Sequence, residues 1–312
     1  MNVSTVIVTY NALHNNWLYK CLDSILHSTL PSEIIIVDNH SQDDTCKVIK
    51  EKYPKILLVE NRKNAGFGKA NNMGIEIALK NSADFVLLLN QDAWIEPTTI
   101  ENLVSKMIEN PNYGILSPLH LNGKGNALDY NFSTYITPDL CKNLYSDFVL
   151  NQVKHQIYES DFICAAAWLI SKKCLEVVGG FSPTFFHYGE DVNYVQRLQY
   201  KGLKIGVAPN TRIYHDREDR EDREDGVYQD QDKTIERGIL LKYSNPDEKN
   251  EVLEAKKHLR KLLFKSKILN QKDSISYLKK RIVIINQNHQ LITENLLLSK
   301  TDLSYVFLDL NL

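Results

Sequence analysis

The chain has 312 residues, with 37 Lys and Arg against 39 Asp and Glu, a formal net charge of -2, 43% hydrophobic residues and 9% aromatics. That much apolar side chain excludes a disordered segment, and the balanced charge argues against a chain basic throughout, as a general nucleic-acid binder would be. No apolar run approaches the ~20 residues that span a bilayer, and Met1–Thr5 lacks the basic and apolar regions of a secretory signal, so a cytoplasmic protein is expected. Cys21, Cys46, Cys141, Cys164 and Cys174 are widely spaced with no Cys-x-x-Cys pair, which predicts reduced structural thiols rather than a disulfide framework or a zinc site.

The first ~115 residues alternate short β-rich runs with amphipathic segments, the pattern of a parallel sheet flanked by helices. Strands are predicted at Val3–Thr9, Glu33–Val37, Lys55–Val59 and Asp84–Leu89. Trp17, Leu18, Cys21, Leu22, Ile25 and Leu26 fall at helical spacing before Pro31, and Ala70, Met73, Ile77 and Ala78 mark a second helical face. Right-handed crossovers then give a doubly wound sheet whose ligand crevice lies at the carboxyl ends of the strands. Each run ends in polar residues: Thr9-Tyr10-Asn11, Asp38-Asn39, Asn61 to Gly68, and Asn90-Gln91-Asp92. Any one of these is explained by a turn, since Asn, Asp and Gly tolerate left-handed backbone and cap helices. Four at one sheet edge predict a pocket.

Further along, Asp161–Ser171 is an apolar run with Cys164, three alanines and Trp168, followed by the turn Gly179-Gly180. Glu190-Asp191 then opens a helix carrying Val192, Val195 and Leu198, closed by Gly202. The two acids either complement the helix dipole or include a general base. Residues 204–214 read as one or two strands ending at His215.

Asp38 suits a hydrogen bond to a ribose hydroxyl or base edge. The stretch Asn64-Ala-Gly-Phe-Gly-Lys-Ala-Asn-Asn72 lets a ligand approach backbone, yet matches neither the dinucleotide fingerprint nor the P-loop. Asp92 is the only carboxylate of its turn and could hold a divalent cation that bridges diphosphate oxygens. His215 is either structural or completes that shell, in which case nitrogen ligation shifts preference from Mg²⁺ toward Mn²⁺. Trp168 either packs in the core or stacks on a sugar ring.

Together, Val6-Ile-Val-Thr-Tyr-Asn11, Asp38-Asn39, Asn64-x-Gly66-Phe-Gly68-x-x-Asn71-Asn72, Leu87-Leu-Leu-Asn-Gln-Asp92 and Tyr188-Gly-Glu-Asp-Val-x-x-x-x-Arg197 resemble the family 2 glycosyltransferases with a GT-A fold, especially the rhamnosyltransferase-like branch. The resemblance spans roughly residues 3–216. It implies a Rossmann-like, mostly parallel α/β sheet in a catalytic domain at 1–225; the remainder, 226–312, is expected to be a mainly helical extension. It also implies inverting, metal-dependent transfer of a sugar, rhamnose among the candidates, from a nucleotide-diphosphate donor to a glycan or lipid-linked acceptor in surface polysaccharide synthesis. Under it, Thr9, Tyr10, Asn11 and Asp38 bind the nucleotide, and Asn64, Gly66, Phe67, Gly68, Asn72, Asn90 and Gln91 line the donor site. Asp92 would hold the metal, which His215 could join on the residue reading above, Asp191 would be the base, Glu190 would position the acceptor beside it, and Trp168 would lie under the acceptor. Asn90 departs from the paired-acid metal motif, leaving one anionic ligand where the fuller motif has two. A non-catalytic nucleotide-sugar binding or scaffold protein is the alternative that Asn90 favours; a sugar nucleotidylyltransferase is a weaker one, for want of a glycine-rich basic loop after the first strand.

Two charge runs complete the chain. Asp216 to Asp225 is an Asp-Arg-Glu repeat, read as a solvated helix or loop, or as a lid over the donor. Residues 256–281 hold ten Lys and Arg against Asp273 alone, with Leu259, Leu262, Leu263, Ile268 and Leu269 forming an apolar stripe. This is expected either to rest on the inner face of a cell membrane, or to pack on the catalytic domain or in a homodimer contact.

Overall fold

A computed structural model describes residues 1–217, 230–248 and 252–310. The strands are β1 (Val3–Thr9), β2 (Glu33–Asp38), β3 (Leu57–Glu60), β4 (Phe85–Leu89), β5 (Ala93–Ile95), β6 (Tyr113–Asn122), β7 (Tyr158–Ser160), β8 (Ala167–Ser171) and β9 (Lys204–His215). Among them run α1 (Trp17–Leu26), α2 (Thr45–Lys52), α3 (Phe67–Lys80), α4 (Thr99–Glu109), α5 (Tyr130–Tyr135), α6 (Leu144–Val149), α7 (Lys172–Val178) and α8 (Glu190–Tyr200). The chain continues with α9 (Gln231–Tyr243), α10 (Val252–Ile268), α11 (Lys272–Gln287) and α12 (His289–Lys300).

One sheet has the order β3-β2-β1-β4-β8-β6-β9-β5, with β7 also on β9. Its first four strands are parallel, as the alternating pattern implies. Beyond β4 the sheet is mixed: β8 runs antiparallel to both β4 and β6, while β6 and β9 are parallel. Helices cover both faces, so strands such as Ile34-Ile35-Ile36-Val37 are apolar throughout rather than alternating. Successive residues feed two separate cores. Val6, Ile35, Leu88, Trp168 and Phe181 pack on one face, and Ile7, Ile36, Leu87, Leu103 and Leu169 on the other.

The C-terminal helices have a third core, in which Ile239, Leu240, Leu259, Leu278, Ile285 and Ile292 gather around Phe185 from the loop before α8. The segment after α12 returns to α3, α7 and the turn after α7. Gly180 N donates to Val306 O (2.8 Å), Tyr305 OH to Glu176 Oε1 (2.9 Å) and Asn72 Nδ2 to Phe307 O (3.0 Å). Among the described residues no helix is long and apolar enough to cross a membrane. Beyond Asp216 and Arg217, the charged repeat lies outside the described residues.

Candidate active site

A cavity of about 890 Å³ opens at the carboxyl ends of β1, β2 and β4. Its walls include Tyr10 and Asn11 after β1, Asn39 after β2, Asn64, Gly66 and Phe67 at the start of α3, and Asn90, Gln91 and Asp92 after β4. Glu190 and Asp191 at the start of α8, with Cys164 and Ala165 before β8, face the same space. The predicted pocket is therefore present, at the predicted edge of the sheet.

Amide side chains shape its rim. Gln91 Oε1 accepts from Tyr10 N (2.7 Å) and Gln91 Nε2 donates to Tyr10 O (3.0 Å), tying the end of β4 to the end of β1. Asn39 Nδ2 donates to Asn64 Oδ1 (2.8 Å), and Asn39 Oδ1 accepts from Ala65 N (2.8 Å). These bonds set the loop that presents Gly66, whose φ of +83° favours glycine and where a Cβ would lie 2.2 Å from Phe186 O. Substitution there would push the 185–188 loop off the cavity wall.

Across the sheet, pairing of β5 with β9 sets Ala93 opposite His215 and so brings His215 beside Asp92. His215 is fully enclosed, its Nε2 3.4 Å from Asp92 Oδ1 and its Nδ1 3.4 Å from Asp129 Oδ2. Neither nitrogen makes an ordinary hydrogen bond. Burial opposes charge on the imidazole, but the two carboxylates outweigh it and raise its pKa. Among the described residues no cluster of three or more His, Cys, Asp and Glu could by itself hold a metal ion. Asp92, the carboxylate on the cavity wall, fits a divalent cation whose other ligands come from phosphate oxygens and water, with His215 behind it as an ion-pair partner rather than a ligand.

At the other acidic site, Gly189 (φ +103°) turns the chain into α8 and Asp191 Oδ1 accepts from Val192 N (2.8 Å). Glu190 Oε2 is buried with no hydrogen-bond partner. Burial first, and then the neighbouring Asp191 carboxylate, push the Glu190 pKa up to about 8; burial likewise raises that of Asp191. Near neutral pH the pair thus holds a neutral Glu190 beside Asp191. Burial and Asp191 also push the Cys164 thiol up to about 12, which leaves it neutral and unreactive.

The raised Glu190 pKa has a consequence for stability. Below about pH 4.5 the acid is protonated in both folded and unfolded chains, so it contributes nothing. Between there and about pH 8 the unfolded chain ionises first, and folding is progressively penalised. Glu190→Gln should therefore melt several degrees above wild type at pH 8 and together with it near pH 4.5. Thermal scans at the two pH values check this; an equal shift at both would contradict it.

The structure relocates several predicted residues. Thr9 and Asp38 do not line the cavity: Asp38 is 2% exposed and accepts from Thr9 Oγ1 (2.9 Å), Ser41 Oγ (2.5 Å) and Ser41 N (2.9 Å), which uses its carboxylate to fold the turn after β2. Gly68 is a packing position, where a Cβ would lie 2.9 Å from Phe181 Cβ. Asn72 is buried and clamps Phe181 through its main-chain N and O (2.7 and 2.8 Å). Trp168 is fully enclosed, stacked on Phe181, and its indole donates to Ile163 O (3.2 Å); it is core, because β8 turns that side chain to the face covered by α8. His215 sits behind Asp92 rather than on the wall.

Other wall residues come from segments without a readable motif. Asn131 and Tyr135 stand on α5, Phe162 precedes β8, Arg217 follows β9, and Arg237 and Leu241 come from α9. Asp129, which flanks His215, also caps α5 by accepting from Phe132 N (2.8 Å); in sequence it looks like a cap and nothing more.

The cavity at the strand ends of this α/β sheet thus carries Asp92 on one wall and the Glu190–Asp191 pair on another. The sequence profile described as glycosyl transferase family 2 matches residues 4–179, and the chain belongs to this family. Similar proteins include the low-salt glycan biosynthesis hexosyltransferase Agl10 of Haloferax volcanii, 25% identical over 230 residues (73% of this chain, 71% of that protein). The dTDP-rhamnosyl transferase RfbF of Shigella flexneri is 24% identical over 217 residues, covering 69% of each chain. The N-acetylglucosaminyl-diphospho-decaprenol L-rhamnosyltransferase of Mycobacterium tuberculosis is 23% identical over 230 residues (67% and 74%). Of the longer glycosyltransferase GlyA of Streptococcus pneumoniae, 34% identical over 111 residues, the match spans only 15%. Among solved structures, residues 1–349 of Staphylococcus aureus TarS with UDP superpose with a TM-score of 0.55 at 16% identity, covering 82% of this chain and 68% of that one. The mannosyltransferase PcManGT of Pyrobaculum calidifontis with GDP-Man and Mn²⁺ gives 0.51 at 18% (76% and 62%). The fold is GT-A, and the relatives include rhamnosyltransferases.

Proposed function

We propose that the chain transfers a sugar, with rhamnose the leading candidate, from a nucleotide-diphosphate donor to a glycan or lipid-linked acceptor, with inversion at the anomeric carbon, in surface polysaccharide assembly. The observation that carries this reading is that Asp92 and the Glu190–Asp191 pair line one cavity in a family 2 chain. Tyr10, Asn11, Asn64, Gly66, Phe67, Asn90 and Gln91 form the donor wall. Asp191 takes the proton of the attacking acceptor hydroxyl, while the neutral Glu190 donates a hydrogen bond toward the acceptor. One base suffices, since direct displacement needs no carboxylate nucleophile. Asp92 would hold a divalent cation, Mg²⁺ or Mn²⁺, which supplies neutralisation of the charge that grows on the leaving diphosphate, and His215 behind it would orient its carboxylate. The catalytic domain is residues 1–225 and the helical extension 226–312 completes its cavity wall with Arg237 and Leu241; the enzyme works in the cytoplasm, with the extension against the inner face of the membrane.

Asp92→Ala should abolish the gain in nucleotide affinity that Mn²⁺ or Mg²⁺ gives the wild type, as read by calorimetry with UDP, dTDP and GDP. Equal affinity in wild type and variant, with and without chelator, would remove the cation from the reading. Asn90 favours a second reading, a nucleotide-sugar binder without turnover. Tight donor binding with no release of nucleoside diphosphate would establish that one instead.

A further inference from the structure

The hairpin of α10 and α11 carries a surface that neither the cavity nor the cores use. Val252, Ala255, Leu259 and Ser266 turn one face of α10 inward. At about 100° per residue the opposite face holds Glu254 paired with Lys257 (2.6 Å), then Lys261, Phe264 and Ile268. Phe264 is 68% exposed and Ile268 69%, and Leu269 stands 55% exposed where the chain turns toward α11. Single exposed apolar residues are ordinary, but three at one hairpin tip form a patch. Lys261, Lys265, Lys267 and Lys272 surround it, and all four are exposed.

We infer that this tip docks on an anionic lipid bilayer, with Phe264, Ile268 and Leu269 entering the interface and the surrounding lysines meeting the headgroups. Charge decides the occupant. A second copy seated on the same face would set Lys261, Lys265, Lys267 and Lys272, with Asp273 the one acid in 256–281, against their own duplicates. An anionic surface complements them and accepts the apolar side chains between them. The inference deepens the reading of a membrane-borne acceptor given above, but it is tested without any sugar transfer.

The test is flotation of the full chain with vesicles of phosphatidylcholine alone and of phosphatidylcholine with phosphatidylglycerol. Binding at least tenfold stronger to the anionic vesicles, weakened by salt, is expected. Phe264→Asp/Ile268→Asp and Lys261→Glu/Lys265→Glu should each lose at least tenfold in partitioning while keeping wild-type circular dichroism and nucleotide affinity. Wild-type partitioning by both variants, or equal binding to both vesicle types, would overturn the inference. So would a wild-type dimer in sedimentation that Phe264→Asp/Ile268→Asp dissociates without any vesicle binding by the wild type. A chain that floats but releases no nucleoside diphosphate would overturn the transferase reading and leave the docking surface standing.

Discussion

Asp191→Asn is expected to lower sugar transfer by about 10²- to 10⁴-fold, the range that a positioned general base supplies, with nucleotide-sugar affinity within about twofold of wild type. Asn keeps the size of the side chain and can still accept from Val192 N, so α8 should start as before. The substitution removes a group able to take a proton. The donor wall at Tyr10, Asn64, Gly66 and Gln91 lies on other elements and should bind as it did. Since burial raises the Asp191 pKa, activity of the wild type should fall on the acid side at a higher pH than an exposed aspartate would give. Transfer rates and calorimetric affinities, measured on the same preparations, separate loss of chemistry from loss of binding; a variant that turns over like wild type would remove Asp191 from the mechanism.

The second large effect is on stability. Arg197→Ala should destabilise the fold by about 3 kcal/mol or more, because charged hydrogen bonds contribute about 1.5–3 kcal/mol each and buried orphaned acceptors add about 1–3. Arg197 is fully buried on α8 and donates to Val178 O (2.5 Å), Gly180 O (2.6 Å) and Asn193 Oδ1 (3.2 Å). Its guanidinium also lies 5.0 Å from the ring centres of both Tyr194 and Phe307. Burial lowers its pKa to about 10, which leaves it charged at neutral pH. Lysine cannot reproduce the planar fork, so Arg197→Lys should recover only part of the loss. Chemical denaturation midpoints of the three proteins give the order; coincident curves for Arg197→Ala and wild type would show that the clamp contributes nothing. Arg197 touches the Gly179-Gly180 turn and not the cavity, so it acts by placing the helix whose first turn carries Glu190 and Asp191.

The parallel half of the sheet was legible because each strand and the helix after it are neighbours in sequence, and their spacing records which face is buried. The mixed half was not, because β8 pairs with strands that lie some fifty to eighty residues away, and nothing local in Ala167–Ser171 encodes a direction. The pocket was legible as four polar strand ends. The use of each polar residue was not: Asp38 and Asn72 have the chemistry of ligands, and the structure spends their hydrogen bonds on Ser41 and Phe181. Trp168 read equally as stacking surface or core until the packing of Phe181 and Tyr194 around it was known. Arg237 and Leu241 reach the cavity only because the C-terminal helices share a core with Phe185, a tertiary fact with no sequence motif.

The most direct test of the central claim is release of nucleoside diphosphate from a panel of UDP-, dTDP- and GDP-sugars, with a membrane lipid extract as the acceptor source, for wild type and Asp191→Asn side by side. Extract-dependent release from one class of donor by the wild type, nearly absent in Asp191→Asn, is the predicted result. No release from any donor that the wild type demonstrably binds, or equal release by both proteins, would contradict it.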